Sequence, residues 1–281
     1  MTLRHDAKVL IGRFGNAVLP GLSRDIDGGR NLDRGGFVKR AMIEARIVDA
    51  RKRGDDEALS RHFRAYWATK AAHGYHTSWL NERESLFRNH HGEIVDRLVG
   101  AVAGNPAFTR FVEIGCGDGK RLADFAGRLP GIESFVGIDL NGEVIAKNLA
   151  SPPADPRIGF EATDALAWLE AHPKAGTVLF SYNGVLEYFS PQRFDALTGL
   201  LARSGPAAIA LVEPIAAEHD MATMPDSFPF GHESTFSHNH RHRLTKAGYR
   251  ILFERILVAD NIRWMMMVAT TGQSPRETPG A

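Results

Sequence analysis

The stretch "FVEIGCGDGK", residues 111–120, carries three glycines at alternate positions, Gly115, Gly117 and Gly119, between a short apolar run and a helix-like segment. Without Cβ atoms the main chain there can approach a ligand closely and adopt φ values that other residues resist. The helix that follows turns its free N–H groups toward the same place. A nucleotide-like cofactor is the natural occupant. The spacing narrows the choice. A dinucleotide fingerprint, G-x-G-x-x-G, fails because Lys120 follows Asp118-Gly119 and the third glycine arrives one residue early, which also argues against a nicotinamide dehydrogenase. A phosphate loop fails because Arg121 stands where its magnesium-binding hydroxyl belongs.

A second group of reactive side chains lies in "GHESTFSHNHRHRLTKAGY", which holds His232, His238, His240 and His242. An imidazole titrating near neutrality suits proton removal from a hydroxyl, so His232 or His238 is the expected base or acceptor contact. Alternate histidines without an adjacent acid are a weak metal signal. A metal-free site is the expectation, with a magnesium ion held by Glu213 as the minor alternative. Cys116 is the only cysteine, which leaves no intrachain disulfide and no cysteine-based zinc cluster. It sits inside the glycine loop without a motif partner and reads as a small packing residue.

These groups need elements to position them, and the chain changes rhythm near residue 104. Before that point the pattern is helical. "GGFVKRAMIEARIVDARKRG" repeats apolar residues every three to four positions and ends in Arg51, Lys52 and Arg53 before Gly54. "DDEALSRHFRAYWATKAAHG" repeats the design with Asp55 as N-cap and Gly74 as stop. A third helix over "SWLNERESLFRNHHGEIVDRLVGAVAG" is expected to break near Gly92. After residue 109, β-rich runs ("RFVEI", "SFVGIDL", "IGFEA", "TVLFSY", "AAIALVE") alternate with amphipathic segments, which implies crossovers and a parallel sheet. "YRILFERILVA" and "IRWMMMVAT", joined by the turn-like "DNI", are expected to pair antiparallel. The Pro/Gly-rich end, residues 273–281, reads as a disordered tail.

In that order the string Glu113 through Gly119 resembles the first motif of class I S-adenosylmethionine-dependent methyltransferases, and the next strands extend the resemblance over residues 109–271. "FVGIDLN" ends on Asp139, "FEATDAL" holds Asp164, and "SYNGVLEYFSPQRF" resembles the family's fourth-strand segment. The resemblance implies a Rossmann-like α/β fold, a seven-stranded mostly parallel sheet with an antiparallel last strand behind an N-terminal helical region. It also implies S-adenosylmethionine as cofactor. Gly115, Gly117 and Gly119, with Cys116 among them, would cradle its methionine end over Glu113. Asp139 and Leu140 would bind the ribose side, Asp164 and Ala165 the adenine. Tyr182 and Asn183 would border the sulfonium. Residues 1–104 would form a selectivity cap, drawing on Tyr66, Trp67, His73, Tyr75, His76 and Trp79, and residues 105–272 the cofactor domain.

Composition fits an ordinary soluble globular protein, with 43% hydrophobic and 24% charged residues and a net charge of +1. Residues 1–104 carry 18 Lys and Arg against 13 Asp and Glu. That basic excess is spread over helical faces rather than clustered, so nucleic acid is not the expected partner. The start lacks a signal-like apolar core and no run reaches the ~20 apolar residues of a membrane span, so cytoplasmic residence is the expectation. The reading is methyl transfer to a small-molecule acceptor, a hydroxyl of a sugar or secondary metabolite. Its alternatives are N-methylation of an amine or RNA base, and a non-catalytic cofactor-binding interaction subunit. A homo-oligomer is left open.

Overall fold

A computed structural model describes residues 3–27, 36–69 and 84–272 of the chain. The amino-terminal part is helical: α1 (Leu3–Val18), α2 (Pro20–Asp27), α3 (Phe37–Arg53) and α4 (Asp56–Trp67). α3 ends on Gly54 at φ 66°, a left-handed C-cap next to its three basic residues, and Asp55 caps α4 by accepting the Ala58 N–H at 3.0 Å. Gly12 and Gly15 let α1 lie directly on α3, since a Cβ on Gly12 would fall 1.9 Å from the Ala41 carbonyl oxygen. The third expected helix breaks where Gly92 stands: a π-turn over Phe87–His91 precedes α5 (Glu93–Val102). Gly74, His73, Tyr75, His76, Trp79 and the 273–281 tail lie outside the described residues.

From residue 110 strands and helices alternate: β1 (Arg110–Ile114), α6 (Lys120–Arg128), β2 (Ser134–Asp139), α7 (Gly142–Ala150), β3 (Ile158–Ala162), α8 (Ala165–Ala171) and β4 (Thr177–Tyr182). A single 3₁₀ turn at Leu186–Tyr188 leads into α9 (Pro191–Arg203) and β5 (Ala207–Ile215). A short hairpin, β6 (Phe228–Phe230) and β7 (Thr235–Ser237), precedes α10 (His240–Lys246), and β8 (Arg250–Ala259) and β9 (Ile262–Thr270) close the sheet. The strand order is β3-β2-β1-β4-β5-β9-β8, with β9 antiparallel to both its neighbours. The turn between them puts Asp260 and Asn261 at φ 51° and 59°, the left-handed pair that a tight hairpin requires.

Both faces of the sheet are covered, which is why its central strands read as continuous apolar runs. On one face Phe111, Phe180, Ala210 and Met266 pack against Leu98 of α5 and Phe125 of α6; on the other Val112, Leu179, Leu211 and Met267 pack against Leu169 of α8 and Phe194 of α9. α5 thus belongs to the sheet's own layers although it precedes residue 104. Strand order reverses between β1 and β4, so their outgoing connections part at the carboxyl edge and leave a crevice there.

Candidate functional site

The glycine loop opens that crevice. Gly115, Gly117 and Gly119 all have positive φ, at 67°, 52° and 74°, a region where a Cβ is strained. Space is closed as well, since a Cβ on Gly115 would stand 2.5 Å from Val185 Cγ2 and one on Gly119 2.7 Å from the Phe160 ring. The Gly115 and Cys116 amides donate to the Ile138 carbonyl at 2.7 and 3.1 Å, which anchors the loop to β2. Underneath, Glu113 is buried at 3% exposure; its carboxyl accepts the Leu122 N–H of α6, and burial raises its pKa well above the usual range. Cys116 is buried against Gly137, and its thiol pKa is pushed up by the same desolvation. It has the character of a packing residue.

Asp139, last residue of β2, faces the loop. One carboxylate oxygen accepts the Gly117 N–H at 3.1 Å and the other the Asn141 N–H at 2.9 Å. Asn141 in turn caps α7 and donates from its side chain to the carbonyls of Trp67 and Thr69, at 3.4 and 3.0 Å, which ties the end of α4 down over the β2 edge. Beside Asp139, Leu140 lines a cleft of about 490 Å³ with Asp164 and Arg193 on the sheet side and Arg61, Arg64 and Ala65 of α4 opposite. Leu140 and Asp164 are therefore brought together, with Ala165 opening α8 next to them.

Asp164 has two structural tasks already. It caps α8 through the Ala167 N–H at 3.1 Å and holds Arg193 Nη2 with both oxygens, at 2.8 and 2.7 Å. At the end of β4, Tyr182 and Asn183 reach the other side of the crevice. Asn183 sits at φ 66°, an uncommon value for a residue with a side chain and one often found at functional sites. Tyr182 Oη lies 3.3 Å from Nδ1 of His91, and its ring meets Phe87 edge-on at 5.1 Å. The turn after β4 is held by Glu213 at 0% exposure, whose carboxyl accepts Ser181 Oγ–H at 2.6 Å and the N–H groups of Val185, Leu186 and Glu187 at 3.4, 3.0 and 3.3 Å. Burial raises its pKa to about 7, against the lowering effect of those donors. Glu187 bends back over Gly184 and receives the Thr235 side chain, with burial first and the charges of Glu213 and Glu233 next raising its pKa to about 8.

The structure places the two candidate histidines far apart in character. His238 is fully buried between the rings of Phe194 and Phe236, at 5.0 and 5.9 Å. Its Nε2 must donate to the Leu186 carbonyl at 3.1 Å, and Nδ1 faces Ser227 Oγ at 2.7 Å, so both nitrogens are occupied. Desolvation lowers its pKa to about 3. It ties the end of β7 to the turn after β4. His232 goes the other way: it is exposed on the β6–β7 hairpin, with its ring 6.5 Å from that of His5 on α1. Glu213, the candidate magnesium ligand, has its oxygens engaged by four donors instead. Among the described residues no group of three or more His, Cys, Asp or Glu side chains is placed to hold a metal ion.

Three neighbours of these residues escape a sequence reading. Asn141 and Arg193 become visible only when α4 and α8 are in place. His91 had one signal, its position just before the helix-breaking Gly92. Trp67 packs on Tyr188 at 5.3 Å, while Tyr66 belongs to the small cluster around Ile26 and Met42, so the helical region's aromatics divide between the crevice side and its own core.

The sequence matches no family model and no curated protein. Solved structures do match. Magnesium protoporphyrin IX methyltransferase from Synechocystis PCC 6803, crystallised with bound S-adenosylmethionine, aligns with a TM-score of 0.53 and 17% identity over 76% of this chain and 97% of that one. The same enzyme with bound S-adenosylhomocysteine gives 0.53 and 16% over 76% and 99%. The chain has the Rossmann-like methyltransferase fold.

Proposed function

We propose that this chain transfers a methyl group from S-adenosylmethionine to the hydroxyl of a small organic acceptor, of the sugar or secondary-metabolite kind. One observation carries the cofactor reading: three positive-φ glycines at the switch point, with the middle one bonded to the acid that ends the next strand. In this reading Gly115, Gly117 and Gly119 cradle the methionine end, Asp139 turns its remaining lone pairs to the ribose diol, and Leu140, Asp164 and Ala165 border the adenine in the cleft under α4. Tyr182 and Asn183 flank the sulfonium. Methyl transfer from a sulfonium is an in-line displacement, so alignment and exclusion of water are the main requirements. The tie of Asn141 to the end of α4 supports a helical region ahead of α5 that closes over the site and selects the acceptor.

The preference for oxygen no longer rests on His232 or His238. It rests on the phenol of Tyr182 and its imidazole partner His91. Incubation with methyl-labelled cofactor and a panel of phenols and polyols tests the activity; label in product with phenols or polyols supports the reading, and label only in amines moves it to N-methylation.

A second reading, a cofactor-binding subunit that docks a partner through its N-terminal helices, is favoured by one feature. Leu10, Phe14 and Val18 form an exposed stripe on α1, at 62, 69 and 48% exposure, and Phe37 of α3 is also exposed, at 52%. Isolated exposed apolar residues are ordinary, but a contiguous stripe marks an interface. Cofactor binding without turnover, together with an associated state in solution that Phe14→Glu dissolves, would favour it.

A further inference from the structure

His91 is an expensive residue where it stands. It ends the π-turn Phe87–His91 and is wholly buried, with its ring edge-on to Tyr182 at 5.7 Å and to Trp264 at 5.0 Å. Its Nδ1 lies 3.3 Å from Tyr182 Oη, and its Nε2 has no hydrogen-bond partner among the described residues. Phe87 and Trp264, whose rings flank the pair, belong to the apolar core on this face of the sheet, where a leucine or phenylalanine would pack without stranding a ring nitrogen. The π-turn adds a local irregularity of the kind that gathers at functional sites. Both costs fall on the residue touching Tyr182, next to the positive-φ Asn183.

We propose that Tyr182 and His91 form a proton relay for a hydroxyl acceptor, with Tyr182 touching the acceptor and His91 acting through it. This rests on the methyltransferase reading of the same crevice. As the acceptor oxygen bonds to the methyl carbon, its proton passes to Tyr182 Oη and the phenol's own proton passes to Nδ1 of His91. The carbon–sulfur bond breaks with its electron pair left on sulfur, which becomes a neutral thioether. The single positive charge thus leaves the sulfonium and appears on the imidazole, and the proton goes to solvent after product release. Before the reaction His91 is kept neutral. Burial first, and then the adjacent His90, lower its pKa to about 4, while Asp260 on the β8–β9 turn opposes them. A sulfonium nearby disfavours a second positive charge further, so His91 becomes a competent acceptor only as the sulfur loses its charge.

Nitrogen-15 NMR of the full chain labelled at histidine tests this, with the His91 signals assigned by their loss in His91→Gln. The relay requires a neutral His91 with its proton on Nε2 and Nδ1 accepting from Tyr182. It also requires that His91 signals move when S-adenosylmethionine replaces S-adenosylhomocysteine while those of His232 do not, and that Tyr182→Phe shifts Nδ1. An Nδ1-protonated tautomer, or His91 signals indifferent to the exchange of ligands, overturns the relay. Calorimetry on the same samples separates the two claims: with both ligands bound and His91 indifferent only the relay falls, whereas with neither bound the parent reading falls and takes the relay with it.

Discussion

Asp139 accepts the Gly117 N–H at 3.1 Å, so the acid at the end of β2 and the middle glycine of the β1 loop form one unit. The same carboxylate that is assigned to a ribose diol also fixes the loop that would hold the methionine end. Asp139→Ala is therefore expected to weaken S-adenosylhomocysteine binding by about 10- to 100-fold, the loss typical of charge-assisted hydrogen bonds. Asp139→Asn keeps one acceptor and should fall between the two, and a titration calorimeter reads both.

Gly115 faces two obstacles to substitution, a φ of 67° and the Val185 side chain 2.5 Å from any Cβ. Gly115→Ala should lose cofactor binding and roughly 1–2 kcal/mol of stability from the left-handed backbone alone. Adding Val185→Ala removes the clash but leaves the backbone strain, so the double variant should recover part of the loss in a denaturant titration. Full recovery would mean that φ is not the constraint.

How far the sequence led depends on whether a residue acts through its neighbours in the chain or through distant ones. Strand ends such as Asp139 and Tyr182, the caps Asp55 and Asp164, and the glycine loop all follow from local pattern, since period, capping chemistry and turn residues are short-range. The histidines did not. A run such as His238, Asn239, His240 looks like a solvated helix start, yet α9 and β7 bury both histidines, and neither nitrogen of His240 has a hydrogen-bond partner among the described residues. Which side of an element faces the core at a chain reversal is decided by long-range packing, and nothing local in that segment announces it. The β6–β7 hairpin went unseen for the same reason: three-residue strands carry too little periodicity to read.

His238 gives an acid-stability prediction. Its folded pKa of about 3 lies below the unfolded value of 6.5, so the unfolded chain binds more protons between those limits. The stability it contributes is fully present above pH 6.5 and is lost as the pH falls toward 3. The wild type should lose about 1.4 kcal/mol per pH unit from this group between pH 6 and 4. His238→Gln, which cannot titrate, should cost stability at pH 7 and close the gap with the wild type as the pH falls. Parallel stability curves would show that His238 does not govern the acid limb.

Removing His232 should do nothing to the site. It is exposed on the hairpin beside His5, so His232→Ala is expected to leave homocysteine-compound affinity and any turnover within twofold of wild type. A large loss of turnover at constant affinity would return the hairpin to the chemistry.

Calorimetric titration of the folded chain with S-adenosylhomocysteine bears most directly on the whole account. Saturable binding at one site, weakened in Asp139→Ala and abolished in Gly115→Ala, is the predicted result. No heat with the wild-type protein, or equal affinity in all three, would contradict it.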